Sequence, residues 1–266
     1  MKAILRILLL ILPLTLQAAD YAFVRNIAYR PNSTDSYADE MCRLDVAYIP
    51  GATDCDVVVW YHGGGLTGGQ RDIPSQLLTD SLIVVGVEYR LSPKVTIDEI
   101  IDDAAASTAW VVRNIKLYGG NPDRVFLSGH SAGGYLIDMI GLDKSRLEAY
   151  GIDANSIAGI APFSGQCITH YEARARQGIP PLQPTIDRLA PLYHVRADAP
   201  PMLILSGDRE HEMYGRYEEQ AYFWRMLRLT GHPDVTLIEL PGTDHGSMVS
   251  PGFPHLLHFI HRLPHK

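Results

Sequence analysis

The sequence predicts an α/β fold: a mostly parallel central sheet of about eight strands, with helices on both faces. Three observations carry this expectation. Residues 57–61 (Val-Val-Val-Trp-Tyr) and 82–87 are continuous apolar runs, too uniform for a strand with one wet face, and they suit the buried strands of a parallel sheet. Such runs alternate with segments of helical period across residues 57–140. A further apolar run, 125–127, ends abruptly in Gly129-His130-Ser131-Ala132-Gly133, as a strand does when it turns sharply into a helix.

In chain order, residues 22–29 and 43–49 read as two strands joined by a polar loop, 31–40, and they are expected to pair antiparallel at one edge of the sheet. Pro50-Gly51 marks a turn before the buried strand 57–61, which ends in His62-Gly63-Gly64-Gly65. A short helix is expected at 73–78 and a strand at 82–87, followed by Tyr89-Arg90-Leu91-Ser92-Pro93. Residues 98–116 carry an amphipathic pattern with acids at the start, where the helix dipole favours them, and Gly119-Gly120-Asn121-Pro122 stops the helix. An apolar helix is expected over 133–141, strands over 157–163, 202–206 and 235–240, and a helix over 218–229. The proline-rich interval 164–199 breaks this rhythm and reads as an insertion over the active edge of the sheet, a lid or substrate-binding segment. Gln166, His170, Tyr171 and Arg174 are its candidates for substrate contact, Gln166 and His170 first among them.

The chain of 266 residues, 46% hydrophobic and 20% charged, is sufficient for one sizeable core. Its net charge of -7 and the lack of any Lys/Arg run argue against a nucleic-acid partner. Residues 1–19 read as an export signal, with Lys2 and Arg6 at the start, an apolar stretch at 7–16 and Gln17-Ala18-Ala19 at the end. The expectation is a periplasmic or secreted protein without stable membrane insertion, because the apolar stretch is short for a bilayer; an uncleaved anchor is the alternative. Of the three cysteines, Cys42 and Cys55 either pair across the strand between them or stay as buried thiols, and Cys167 is left over.

The chemistry lies in three loops. A serine hydroxyl becomes a competent nucleophile when a histidine, oriented by a carboxylate, takes its proton. Glycines two places either side of Ser131 give the clearance its strained turn needs. His62-Gly63-Gly64-Gly65 lets backbone amides converge with no Cβ in the way, as an oxyanion requires. Downstream come an acidic loop, Gly207-Asp208-Arg209-Glu210-His211-Glu212, and then Asp244-His245-Gly246, which is the Ser…acid…His order of one hydrolase architecture.

Taken together, the glycine loop, the Tyr-Arg-Leu-Ser-Pro element, Gly-His-Ser-Ala-Gly, the acidic loop and Asp-His-Gly resemble an α/β-hydrolase of the carboxylesterase and lipase kind, and the first two are similar to those of the hormone-sensitive-lipase-like esterases. The resemblance covers most of residues 40–250. It implies a hydrolase of carboxylic esters, with Ser131 as nucleophile, His245 as base, and the amides of Gly64, Gly65 and Ala132 as oxyanion donors; the modest insertion, which leaves little protein for a large lipase lid, points to small or carbohydrate-linked acyl esters. In many relatives the acid lies three residues after the glycine that ends the preceding strand, which here is Glu210; Asp208 is the alternative and Glu212 a third. Other readings of the same motifs are an amide or formamide hydrolase and a catalytically inactive binding module on the same fold. No metal or organic cofactor is called for, and His255, His258, His261 and His265 near the C-terminus read as solvated helix positions rather than ligands. His62 is expected to shape the glycine loop, and Asp244 to be structural.

Overall fold

The computed structural model describes residues 20–79 and 82–264, so the expected export signal, 1–19, lies outside the described residues. Eight strands form one sheet: β1 (Ala22–Ala28), β2 (Arg43–Tyr48), β3 (Cys55–Tyr61), β4 (Ile83–Val87), β5 (Gly120–His130), β6 (Gly159–Phe163), β7 (Met202–Gly207) and β8 (Val235–Leu240). Their spatial order is β1-β2-β4-β3-β5-β6-β7-β8. As expected, β1 and β2 pair antiparallel at one edge, and β2 also runs antiparallel to β4; from β4 to β8 every pairing is parallel.

The helices are α1 (Ser36–Met41), α2 (Ile97–Asn114), α3 (Ala132–Leu142), α4 (Lys144–Glu148), α5 (Tyr171–Arg176), α6 (Arg216–Leu229) and α7 (Val249–Arg262). The apolar runs of the central strands divide between two cores because successive side chains point to opposite faces. Val57, Val59 and Tyr61 pack under α2, α3 and α6, whereas Val58 and Trp60 pack on the face covered by α7. The acids read at the start of α2 form a capping box, in which Thr96 Oγ1 accepts from the Glu99 amide and the Glu99 carboxylate accepts from the Thr96 amide. The Tyr61 hydroxyl then ties α2 to β3, at 2.9 Å from Ser107 Oγ and 2.8 Å from Thr108 Oγ1.

Three local expectations change. The loop 31–40 contains α1, with Asp35 capping its first turn; the expected helix at 73–78 is a single 3-10 turn, Ser75–Leu77; and the insertion 164–199 holds α5 and a 3-10 turn, Pro191–His194. The insertion is firmly built. Buried Arg174 donates to the carbonyls of Thr169, Pro181 and Gln183 at 3.0, 2.8 and 2.6 Å, and Arg188 pairs bidentately with Asp98 of α2. Cys42, Cys55 and Cys167 are all buried free thiols, so the Cys42–Cys55 pairing is not formed. No helix among the described residues is long and apolar enough to cross a membrane.

Candidate active site

Parallel register brings the ends of β5, β6, β7 and β8 together, since His130 pairs with Phe163, Phe163 with Leu205, and Gly207 with Leu240. Each strand then delivers one side chain. Ser131 follows β5 and opens α3 at φ 56°, ψ −114°, a left-handed backbone that costs a non-glycine residue strain. The turn closes only because its neighbours lack Cβ atoms: one on Gly133 would lie 2.0 Å from the Tyr61 carbonyl oxygen, and one on Gly129 would lie 2.7 Å from the same atom. Ser131 N–H donates to the Phe163 carbonyl at 2.8 Å, which fixes the elbow to β6.

Ser131 Oγ stands 2.9 Å from His245 Nε2, and His245 Nδ1 stands 2.7 Å from Glu212 Oε1. With the proton on Nδ1, the imidazole donates to Glu212 and accepts from the serine. The carboxylate on the imidazole is therefore Glu212. Glu210, the expected acid, is exposed, its amide donating to Asp208 Oδ1 at 2.9 Å. The reason lies in the backbone after β7. The Asp208 carbonyl accepts from the amides of His211 and Glu212 at 2.9 and 2.8 Å, so the chain makes one helical turn. Side chains four apart share a face of such a turn, and a residue two along points away. The Asp208 carboxylate caps the loop instead, accepting from the amides of Glu210 and Gly242.

A fourth side chain, missed by the sequence reading, joins this line of hydrogen bonds. Ser164 follows β6, again at positive φ (51°), and its hydroxyl donates to Glu212 Oε2 at 2.8 Å while lying 2.9 Å from His245 Nδ1. An Nη1–H of Arg216 on α6 binds the Ser164 carbonyl. Burial by itself pushes the Glu212 carboxyl up, but hydrogen bonds from His245, the Met213 amide and Ser164, together with the His245 charge, outweigh it and hold the group at about 2. Its side chain is 1% exposed, so the charge faces the imidazole with little water between.

His130 supports His245 from the other side. Its Nε2–H donates to the His245 carbonyl at 2.7 Å, and the two rings lie 4.7 Å apart. Burial lowers the His130 pKa to about 4, with a further push from the neighbouring imidazole. Asp244 is structural, as expected: its Oδ1 accepts from the amides of Gly246 and Ser247 and from the Ser247 hydroxyl.

The glycine loop passes over the serine. A Cβ on Gly63 would lie 3.3 Å from Ser131 Cβ, and Gly64 and Gly65 have φ of 118° and 66°. The amides of Gly64, Gly65 and Ala132 make no hydrogen bond to another described residue. His62 shapes this loop: its ring stacks 4.3 Å above Tyr89, with Nδ1 2.6 Å from the Gly63 carbonyl and Nε2 2.9 Å from Glu88 Oε1.

The insertion's candidates separate. His170 is 1% exposed; it packs between the rings of Tyr135 and Tyr171, and its Nδ1 accepts from the Glu172 amide to cap α5, so it faces no substrate. Arg174 is buried as the tie described above. Gln166 and Tyr171 do line a cleft beside the site, though the Gln166 amide is already bonded to the Tyr171 N–H and to Glu219.

Comparison with known proteins bears on the fold and the family. The chain is 27% identical over 251 residues to the probable carboxylic ester hydrolase LipM of Mycobacterium tuberculosis, covering 85% of this chain and 56% of that protein. It is 28% identical over 241 residues to the esterase LipQ of the same organism, covering 83% and 56%. The chain thus spans about half the length of these curated relatives. Among solved structures, a truncated carbohydrate esterase from gut microbiota superimposes with a TM-score of 0.74 at 16% identity, covering 93% of this chain and 98% of that one. Native esterase 2 of Thermogutta terrifontis does so with a TM-score of 0.66 at 20% identity, covering 91% and 92%, a likeness of fold. A family model described as the alpha/beta hydrolase fold matches residues 58–249, and with the nucleophile turn, the glycine loop and the acid and histidine loops all inside that span, the chain belongs to the α/β-hydrolase family.

Proposed function

We propose that this protein is a serine hydrolase of carboxylic esters, working through Ser131, His245 and Glu212. The observation that carries the reading is the unbroken line Ser131 Oγ–His245 Nε2, His245 Nδ1–Glu212 Oε1, at 2.9 and 2.7 Å. Ser131 Oγ attacks the ester carbonyl as its proton passes to His245 Nε2, and the imidazolium that forms is stabilised by ionised Glu212. The oxygen of the tetrahedral intermediate takes hydrogen bonds from the Gly64, Gly65 and Ala132 amides, which have no competing partner among the described residues. His245 returns its proton to the departing alkoxide, releasing an alcohol and leaving an acyl group on Ser131. Water then attacks that acyl group, again giving a proton to His245, and the carboxylic acid and free serine result.

Small and carbohydrate-linked acyl esters form the substrate panel. Purified protein should release p-nitrophenol from p-nitrophenyl acetate, and Ser131→Ala should lower kcat by several orders of magnitude. Hydrolysis unchanged in Ser131→Ala, or none in the unmodified protein, would defeat the reading.

A further inference from the structure

Beside the triad, between the insertion and the start of α6, lies a cleft of about 820 Å³, walled by Ile168, Leu182, Ile186, Met213, Tyr214 and Tyr222. That volume is in the range that encloses a whole small-molecule ligand, about 300–1,000 Å³. Four of the eight large apolar side chains exposed among the described residues line this one cleft: Leu182 (76%), Ile186 (50%), Tyr214 (77%) and Tyr222 (53%). Exposed apolar surface gathered in one concavity marks a binding site, where the same residues scattered singly would not.

The cleft joins the catalytic centre at three points. Met213 follows the triad acid directly in the chain. Arg216, 3% exposed, holds the Ser164 carbonyl through Nη1, while its Nε has no hydrogen-bond partner among the described residues. Tyr171 extends from the cleft wall to the glycine loop, its hydroxyl 1.7 Å from where a Cβ on Gly65 would stand.

We propose that this cleft is the subsite for a bulky apolar group, aromatic rings above all, borne by one side of the ester, and that Leu182 and Ile186 on the insertion make it selective for such substrates. Three tyrosines and the flat guanidinium of Arg216 suit a planar ring. The proposal rests on the esterase reading and adds to it the substrate class.

The test compares kcat/KM for 2-naphthylmethyl acetate, methyl 2-naphthylacetate and ethyl acetate, whose ester groups are of similar intrinsic reactivity, in the unmodified protein and in Leu182→Glu and Ile186→Glu. The two naphthyl compounds place the ring on the alcohol and the acyl side, respectively. At least one should be preferred over ethyl acetate by tenfold or more. Each substitution should then cut kcat/KM for that ester about tenfold or more, through KM, with ethyl acetate changed less than twofold. Cleavage of ethyl acetate with no preference for either naphthyl ester, or an equal loss on all three in the variants, overturns the cleft proposal and leaves the esterase reading standing. Absence of cleavage of every ester overturns both.

Discussion

At the scale of single residues, the site depends on which carboxylate faces His245. Glu212 does so because one helical turn after β7 turns it inward and leaves Glu210 in solvent. Glu212→Gln should therefore lower kcat about ten-thousandfold, the scale of losing a triad carboxylate, while Glu210→Gln should stay within about twofold; steady-state hydrolysis of p-nitrophenyl acetate reads both. Ser164→Ala removes a hydrogen bond to the Glu212 carboxylate and should cost about ten- to a hundredfold in kcat with little change in KM. A changed pH profile of kcat in Ser164→Ala, with the urea midpoint of unfolding unchanged, would separate the lost hydroxyl from lost packing. His130 sets a dependence on pH. Folded, it stays neutral down to about pH 4, whereas in the unfolded chain it takes up a proton near 6.5. Unfolding therefore binds a proton between these values. The stability present above pH 6.5 is lost as pH falls through that window, by an amount on the order of 3 kcal/mol. Urea unfolding of the unmodified protein and of His130→Gln, near pH 7 and near pH 4.5, should show a smaller fall in the variant. Ser131 and His245 were legible in the sequence because glycine spacing and position after a strand mark them. Glu212 and Ser164 were not, since a count from Gly207 cannot show how the next turn winds, and a lone serine after a strand carries no signature.

At the scale of elements, apolar runs and helical period placed all eight strands and the main helices of the sheet's larger core, because buried strands leave a strong pattern. α1 and α5, six residues each, are too short for a periodic signal and depend on local caps: the Asp35 carboxylate on the Tyr37 amide and His170 Nδ1 on the Glu172 amide. That capping role is why His170 looked available in the sequence and is buried in the fold. The glycine loop was legible in type, and the structure supplies the reason for each residue. Gly65, at φ 66°, also leaves room for the Tyr171 hydroxyl. Gly65→Ala should cost about a hundredfold or more in kcat by displacing a proposed oxyanion donor, with far-ultraviolet circular dichroism unchanged. Adding Tyr171→Phe to that variant should recover part of the loss. A Gly65→Ala enzyme with full activity would show that the loop amides do not hold the developing charge.

At the scale of the whole molecule, the sheet aligns four strand ends into one site and the two cores hold that alignment. Arg124, at the other end of β5, shows how firmly: 2% exposed, it pairs with Asp56 at 2.6 Å and donates to the carbonyls of Ile260, Leu263 and Pro264 at the end of α7. The nucleophile strand is thus tied at its base to the helix that covers the second core. A rigid frame of this kind is what lets a strained serine, a histidine from another loop and a buried glutamate keep hydrogen-bonding distance before substrate arrives. The central claim is that this frame activates one serine. Intact-mass and peptide mass spectrometry after treatment with a fluorophosphonate probe tests it most directly. One equivalent of probe should attach at Ser131 and be abolished in Ser131→Ala and strongly slowed in Glu212→Gln; no adduct, or an adduct on another residue, would contradict the account.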